Sequence, residues 1–120
     1  MKAEERAKTL LQKAGMLVYE PGQQAGICKA PYVVAHCFGN YPTIQSRNLR
    51  YTLLKLHCYV PLDGNQTAAL GILADRVKAA MRDMHGQAKP TGQEGVDMVE
   101  SDFKALSRTI EYQVLKAQKG

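Results

Sequence analysis

The stretch RYTLLKLHCYVPLDGNQTAALGILADRVKAAM, residues 50–81, changes its hydrophobic period near the middle. In its first half, apolar residues recur at every second position, which is typical of a strand with one buried face. These residues are Leu54, Leu56, Cys58 and Val60. The intervening side chains of Lys55, His57 and Tyr59 are then expected on the opposite face.

The second half follows a break at Pro61, Asp63 and Gly64. Beyond the break, apolar residues recur at spacings of three and four, which predicts an amphipathic helix. They are Leu70, Leu73, Ala74, Val77, Ala80, Met81 and Met84. The stretch therefore predicts a strand, a turn and a helix that share one core.

Further elements follow from the same reasoning. A helix is expected over residues 3–14, where Gly15 suits its C-terminal end. Strands are expected over residues 16–19, 30–38 and 104–116. The first is a short apolar run, the second is rich in β-branched and aromatic residues, and the third alternates apolar with polar residues. Residues 39–48 carry turn formers and predict the tip of an antiparallel hairpin.

Two segments have weaker periodicity. Residues 85–95, HGQAKPTGQEG, contain three glycines and one proline with almost no apolar residues, which predicts a mobile loop. Residues 96–103 keep no single period, and we assign them neither as a strand nor as an irregular segment. The fold prediction is a single α+β domain over residues 1–120, with a mainly antiparallel sheet of about four strands and two helices packed on one face.

Composition restricts the class of protein more than its function. The chain has 120 residues and a formal charge of +5, with basic residues spread over its length. A scattered charge of this kind argues against a dedicated nucleic-acid surface. The charged N-terminus predicts no signal peptide, no apolar run suits a membrane span, and three widely spaced cysteines predict free thiols in a reducing cytoplasm.

The dipeptide His-Cys occurs twice, at residues 36–37 and 57–58, on two strands expected to pair. Four such groups could bind a metal ion, but adjacent residues on a strand point to opposite faces. Core thiols and surface imidazoles are the more common outcome. No nucleophile motif or phosphate-binding glycine loop is present. We therefore predict no catalytic residue, no metal ion and no cofactor.

Two further groups of residues are candidates for binding. Asp97, Glu100 and Asp102 could bind a cation, although solvated or helix-capping carboxylates are more common. Tyr and Arg are enriched where protein contacts contribute most to affinity. The residues predicted to form a protein interface are Tyr41, Arg47 and Arg50 at the hairpin tip, and Lys89 in the glycine-rich segment.

The order and texture of these elements resemble the tail terminator, or tail completion, proteins of long-tailed bacteriophages and related prophage particles. The resemblance rests on YTLLKLHCYVPL, LGILADRVKAAM, the glycine-rich segment and SRTIEYQVLK, with ERAKTLLQKAG and APYVVAHCF ahead of them. It covers nearly the whole chain but includes no catalytic or ligand motif.

The resemblance implies a structural protein that is not an enzyme and that forms a ring, hexameric in that family. Such a ring caps the tail tube, ends its polymerisation and joins it to the head connector. The expected partners are other copies of the chain, the tail tube protein, the head-tail connector protein and DNA in the channel, with no membrane. The expected location is the host bacterial cytoplasm during assembly and then the particle.

Three other functions stay open at the level of sequence. A head-completion or connector adaptor would differ mainly in its partners. A small nucleic-acid-binding module would need stacking aromatics near basic residues, for which the candidates are Tyr32, Tyr51, Tyr59, Arg50 and Lys55. An enzyme would depend on the His-Cys pairs alone.

Overall fold

The computed structural model describes residues 3–23, 26–42, 49–84 and 87–117. Over these ranges the chain forms two helices and six strands. In chain order the elements are α1 (Ala3–Lys13), β1 (Val18–Tyr19), β2 (Tyr32–Pro42), β3 (Leu49–Pro61), α2 (Gln66–Met81), β4 (Ala88–Glu94), β5 (Met98–Glu100) and β6 (Ala105–Ala117). One short 3-10 turn follows α2 and another precedes β6.

The six strands form one mixed sheet. Its order is β1-β2-β3-β6-β4, and β5 also pairs with β6, further along the same edge as β4. The β1–β2 pair is parallel, and every other described pair is antiparallel. The hairpin predicted between the second and third strands is present as β2 and β3, while most of its tip, residues 43–48, lies outside the described residues.

The prediction of about four strands in a mainly antiparallel sheet is wrong, because β4 and β5 bring the sheet to six. The segment interpreted as a loop over residues 85–95 contains β4, and the unassigned residues 96–103 contain β5. In β4 only Ala88 is buried, so burial gives this strand no alternating pattern. Backbone hydrogen bonds to the edge of β6 keep β4 in the sheet. The hydrophobic pattern of the sequence gives no sign of such bonds, so it could not predict this strand.

The main core lies between one face of the sheet and both helices. Leu54, Leu56, Cys58 and Val60 on β3 are all fully buried, as the alternation predicts. The helix stripe is buried against them: Leu70, Leu73, Ala74, Val77, Ala80 and Met81 on α2, with Ala7 and Leu11 on α1. The shared core of strand and helix is therefore confirmed.

The end of α1 is fixed by a contact with α2. Gly15 has a φ of +91°, a backbone conformation that favours glycine. A Cβ atom at this position would also lie 3.2 Å from Nη2 of Arg76. That guanidinium donates a 2.6 Å hydrogen bond to the carbonyl of Ala14, one of the carbonyls that the end of the helix leaves without a helical partner.

A second, smaller cluster lies on the opposite face of the sheet. It contains Cys28, Tyr32 and Ala105, packed by Tyr19, Tyr59 and other partly buried residues. The rings of Tyr32 and Tyr59 stack with centroids 4.9 Å apart, and Tyr19 meets Tyr32 edge to face at 5.5 Å. The sheet is thus covered on this face only near one end.

The pairing of β3 with β6 continues past the last core residues that the structure describes. Strands β3 and β6 pair continuously from Leu49↔Ala117 to Pro61↔Ala105, and the described core residues at that end are Leu54 on β3 and Val114 on β6. Arg50 to Leu53 on β3 are half-buried. We call residues 41–42, 49–53 and 115–117 the distal end of the sheet.

Replacing Leu56 by Asp should destabilise the fold by on the order of 4 kcal/mol, since it places a carboxylate without a partner in the main core. Chemical denaturation measures the loss. Ile72→Asp is the matched control, because Ile72 on α2 is 62% exposed and its change should cost less than about 0.5 kcal/mol. Equal losses in the two variants would show that the strand register is wrong.

Lys89→Ala should change the free energy of unfolding by less than about 0.5 kcal/mol, because the side chain is exposed on β4. The same denaturation experiment tests this expectation. A loss of several kcal/mol would mean that Lys89 packs against another element.

Candidate functional site

The predicted interface residues lie toward one end of the sheet. The register pairs Tyr41 with Tyr51 and Pro42 with Arg50 across β2 and β3, and Arg50 with Lys116 across β3 and β6. Tyr41 and Arg50 are therefore both at the distal end. Arg47 lies outside the described residues.

Lys89 lies on β4 at the level of Leu53, because both residues pair with Gln113 of β6 from opposite sides. It is therefore two strands away from β3 and three residues along from Arg50. The structure brings Tyr41 and Arg50 to neighbouring positions, and it places Lys89 near them but on the sheet edge.

The two His-Cys pairs do not form a single site. In the β2–β3 register His36 lies opposite Lys55 and Cys37 opposite Leu54, while Val34 lies opposite His57. The cysteines at 37 and 58 share the face that packs on the helices, and the histidines share the other face. Within the described residues, no three His, Cys, Asp or Glu side chains are grouped so that they could hold a metal ion.

His57 has a structural partner. Its Nδ1 atom lies 2.8 Å from the hydroxyl of Thr109 on β6. Burial lowers the pKa of His57 from the ordinary value of 6.5, and the positive charges of His36 and Lys55 lower it further. The neutral imidazole is therefore the form that the folded sheet favours.

The buried thiols of Cys28 and Cys58 are unreactive at neutral pH. Burial raises the pKa of Cys58 to about 12, and it also raises the pKa of Cys28. Because the thiolate is the reactive form, these positions are unsuited to nucleophilic chemistry at neutral pH. Cys37 is only partly buried, and its Sγ atom lies 3.3 Å from the hydroxyl of Thr52.

Tyr32 and Tyr59, two of the aromatic residues considered for base stacking, contact each other within the fold. Tyr32 is buried and stacks on Tyr59, and burial raises the pKa of Tyr32 to about 12. Neither ring leaves both of its faces open to a nucleotide base. Lys55 lies over the ring of Phe38 at 5.3 Å. These contacts weigh against a nucleic-acid platform built on Tyr32 and Tyr59.

Two of the three clustered carboxylates bind partners on β6. Asp97 accepts hydrogen bonds from Nε and Nη2 of Arg108, at 2.7 and 3.3 Å. The Ser107 hydroxyl donates a 3.1 Å hydrogen bond to Glu100. These contacts hold the segment around β5 against β6, which gives two of the carboxylates a structural role. They also explain Arg108, a basic residue on the side of β6 that carries Leu106 and Ile110.

A pocket of about 490 Å³ opens between α2, β4 and β6. Its apolar lining comes from Met81, Ala88, Pro90, Ile110 and Tyr112. At its rim, Lys78 and Glu94 form a 2.6 Å ion pair that ties α2 to β4. Among the described residues, the lining includes no histidine, cysteine or serine.

The most unusual surface is the edge around β5. Val96 is 80% exposed, Met98 57% and Val99 61%. Since Met98 and Val99 point to opposite faces, their common exposure means that the edge is uncovered on both sides. Among the described strands, β5 pairs only with β6, so its outer backbone faces solvent. Large apolar residues on an open sheet edge are characteristic of a contact surface.

Sequence reasoning missed this edge because it assigned no strand there. The available signal was the complementary chemistry of two segments close in the chain: the acidic Asp97 and Glu100 are soon followed by Ser107 and Arg108, which bind them.

Comparisons with known proteins give no family, since neither protein-family models nor curated proteins match the chain. None of the described helices is long and apolar enough to cross a membrane.

Alkylation should distinguish the three thiols. In the native protein Cys37 should react first with iodoacetamide, whereas Cys58 and Cys28 should react only after unfolding, because their pKa values are raised and they are buried. Peptide mass spectrometry of the labelled protein measures the order. Fast native labelling of Cys58 would contradict its place in the core.

The lowered pKa of His57 makes stability depend on pH in one direction. The unfolded chain binds a proton at His57 more readily than the folded chain does, so acidification favours unfolding. The contribution of His57 should be complete above about pH 6.5 and should decline below it, down to the lower folded pKa. His57→Gln should flatten this slope in denaturation curves, and the exposed His36→Gln should keep most of it.

Proposed function

We propose that this chain is a structural assembly protein of a phage or prophage-derived particle, acting as a tail terminator. In this role, copies of the chain form a ring on the end of the tail tube, stop its growth and provide the surface to which the head connector attaches. The proposal concerns binding through sheet surfaces and includes no reaction.

The observation that carries the proposal is the length of the β3–β6 pair. Thirteen consecutive residue pairs join the two strands, and the pairing continues past Leu54 and Val114, the last core residues that the structure describes at that end. Ordering backbone costs about 1–2 kcal/mol per residue. A strand pair that continues in this way is best explained by contact with another macromolecule.

The exposed edge around β5 supports the same proposal. An assembly subunit needs at least two separate contact surfaces if each copy is to bind two neighbours. The distal end and the β5 edge are two such surfaces. The chemistry of the described residues is consistent with this function, because His57, Cys58, Asp97 and Glu100 all have structural contacts.

The function predicts a defined assembly defect. A tube of stacked rings keeps growing while its end offers the surface that the next ring binds, and a terminator removes that surface. Deleting the gene from the parent particle should therefore give abnormally long or headless tails beside filled heads without tails, as seen by electron microscopy. Tails of normal length joined to heads would refute the proposal.

Binding to purified components separates the terminator from an adaptor on the head side. A terminator should bind the ends of tail tubes, and an adaptor should bind the connector without binding tubes. Labelled protein mixed with each component, followed by sedimentation, measures the preference.

A further inference from the structure

The pocket between α2, β4 and β6 contains a polar group that makes no contact of its own with the described residues. Tyr112 lines this pocket and is only 4% exposed. Among the described residues, every fully buried side-chain oxygen or nitrogen atom has a hydrogen-bond partner. The Tyr112 hydroxyl has none among them, so it is not fully buried and must open into the pocket. A buried ring thus presents a hydroxyl to a largely apolar cavity.

A cation without a partner lies at the same pocket. Arg82 is exposed, directly follows α2, and its guanidinium forms no ion pair or hydrogen bond with the described residues. Backbone contacts fix its position, because the Arg82 N–H donates to the carbonyls of Ala79 and Ala80. Arg6 of α1 donates a 3.3 Å hydrogen bond to the carbonyl of Asp83, the next residue. The guanidinium is therefore held at the pocket with its donors open to a ligand.

The other charged groups of the described lining have partners inside the chain. Lys78 and Glu94 form the 2.6 Å ion pair at the rim. Glu111 accepts a 2.9 Å hydrogen bond from the Thr91 hydroxyl. Alternation along β6 also places the Glu111 side chain on the face of the sheet that does not pack on the helices. Arg82 is thus the one charged group of this lining without a partner, and it favours a ligand of negative charge.

The hydroxyl of Tyr112 stays protonated at neutral pH. Burial is the main cause that raises its pKa above the ordinary value of 10, while the positive charge of Arg82 lowers it. The guanidinium is therefore close enough to act on the phenol, and one ligand group can contact both. A carboxylate suits this pair, since it can accept two hydrogen bonds from arginine and a further one from a hydroxyl.

We propose that this pocket binds a carboxylate joined to an apolar chain or ring. The carboxylate contacts Arg82 and the Tyr112 hydroxyl. The apolar part lies against Met81, Pro90 and Ile110. The volume of about 490 Å³ falls within the roughly 300–1,000 Å³ of pockets that hold small ligands. A free acid and the carboxyl terminus of a peptide with an apolar last residue both have this chemistry.

The first test titrates the full chain with two probes that differ in charge. Hydrocinnamate carries a carboxylate on a phenyl ring and a short chain, and hydrocinnamide has the same body without the charge. The NMR shifts of the Ala88, Gly92 and Ile110 amides report occupancy of the pocket. Hydrocinnamate should bind with a dissociation constant of about 1 mM or below, and the amide at least about tenfold more weakly.

A second pair of probes identifies the source of the carboxylate. The tripeptide Gly-Gly-Phe ends in a free carboxylate, and its C-terminally amidated form does not. If the free tripeptide binds more tightly than hydrocinnamate, the ligand is the end of a polypeptide chain. If it binds equally or more weakly, the ligand is a small acid.

Two variants, each with a matched control, test the residues. Arg82→Gln removes the charge, and its control is Lys13→Gln, which removes an exposed cation at the end of α1. Tyr112→Phe removes only the hydroxyl, and its control is Tyr32→Phe, at a buried tyrosine on the opposite face of the sheet. The two pocket variants should each weaken hydrocinnamate binding by about fivefold or more. The controls should stay within about twofold of the wild-type chain, and thermal denaturation verifies that every variant is folded.

Three results would overturn this site. The first is the absence of any shift with about 10 mM of either hydrocinnamate or Gly-Gly-Phe. The second is equal binding of each acid and its amide. The third is wild-type binding in the folded Arg82→Gln and Tyr112→Phe variants. None of these results bears on the terminator function, which the gene deletion tests on its own.

Discussion

The pairing of β3 with β6 is the constraint on which the rest of the structure depends. Each strand lies in the middle of the sheet, and one face of the pair supplies fully buried residues of β3 and the buried Ile110, Tyr112 and Val114 of β6. Helix α2 can bury its stripe only on that face. The outer edge of β6 then becomes the template for β4 and β5, whose own sequences bury almost nothing.

The same pairing accounts for the two surfaces to which we assign function. Because β3 and β6 pair over thirteen residues, their common end continues past Leu54 and Val114, the last described core residues on that side. Because β6 is longer than either strand that pairs with its outer edge, β4 and β5 divide that edge between them. The segment between the two strands carries the exposed Val96, and Gly95 donates a 2.8 Å hydrogen bond to the carbonyl of Thr109.

Polar groups near β6 mostly serve to hold this edge in place. Arg108 bonds Asp97, Ser107 bonds Glu100, and Lys78 reaches from α2 to Glu94. Each contact neutralises a carboxylate near this edge or gives it a hydrogen bond. Exposed ion pairs stabilise a fold only weakly, by about 0–1 kcal/mol, so their main effect is to fix the position of β5 and its apolar residues.

The sequence by itself determined the elements that bury a regular face. The core was predicted from the alternation of Leu54, Leu56, Cys58 and Val60 on β3 and from the spacing of three and four on α2. A helix or strand with one buried face has apolar residues at regular intervals, and these intervals are visible in the sequence. Only the tertiary structure decided β4, β5 and the exposed edge around β5. These strands depend on backbone hydrogen bonds to β6. Every residue except proline can donate such a bond, so residue types do not reveal the pairing. The candidate site followed the same division: Tyr41 and Arg50 could be named from their residue types, whereas Val96, Met98 and Val99 became a surface only once β6 held them at an open edge.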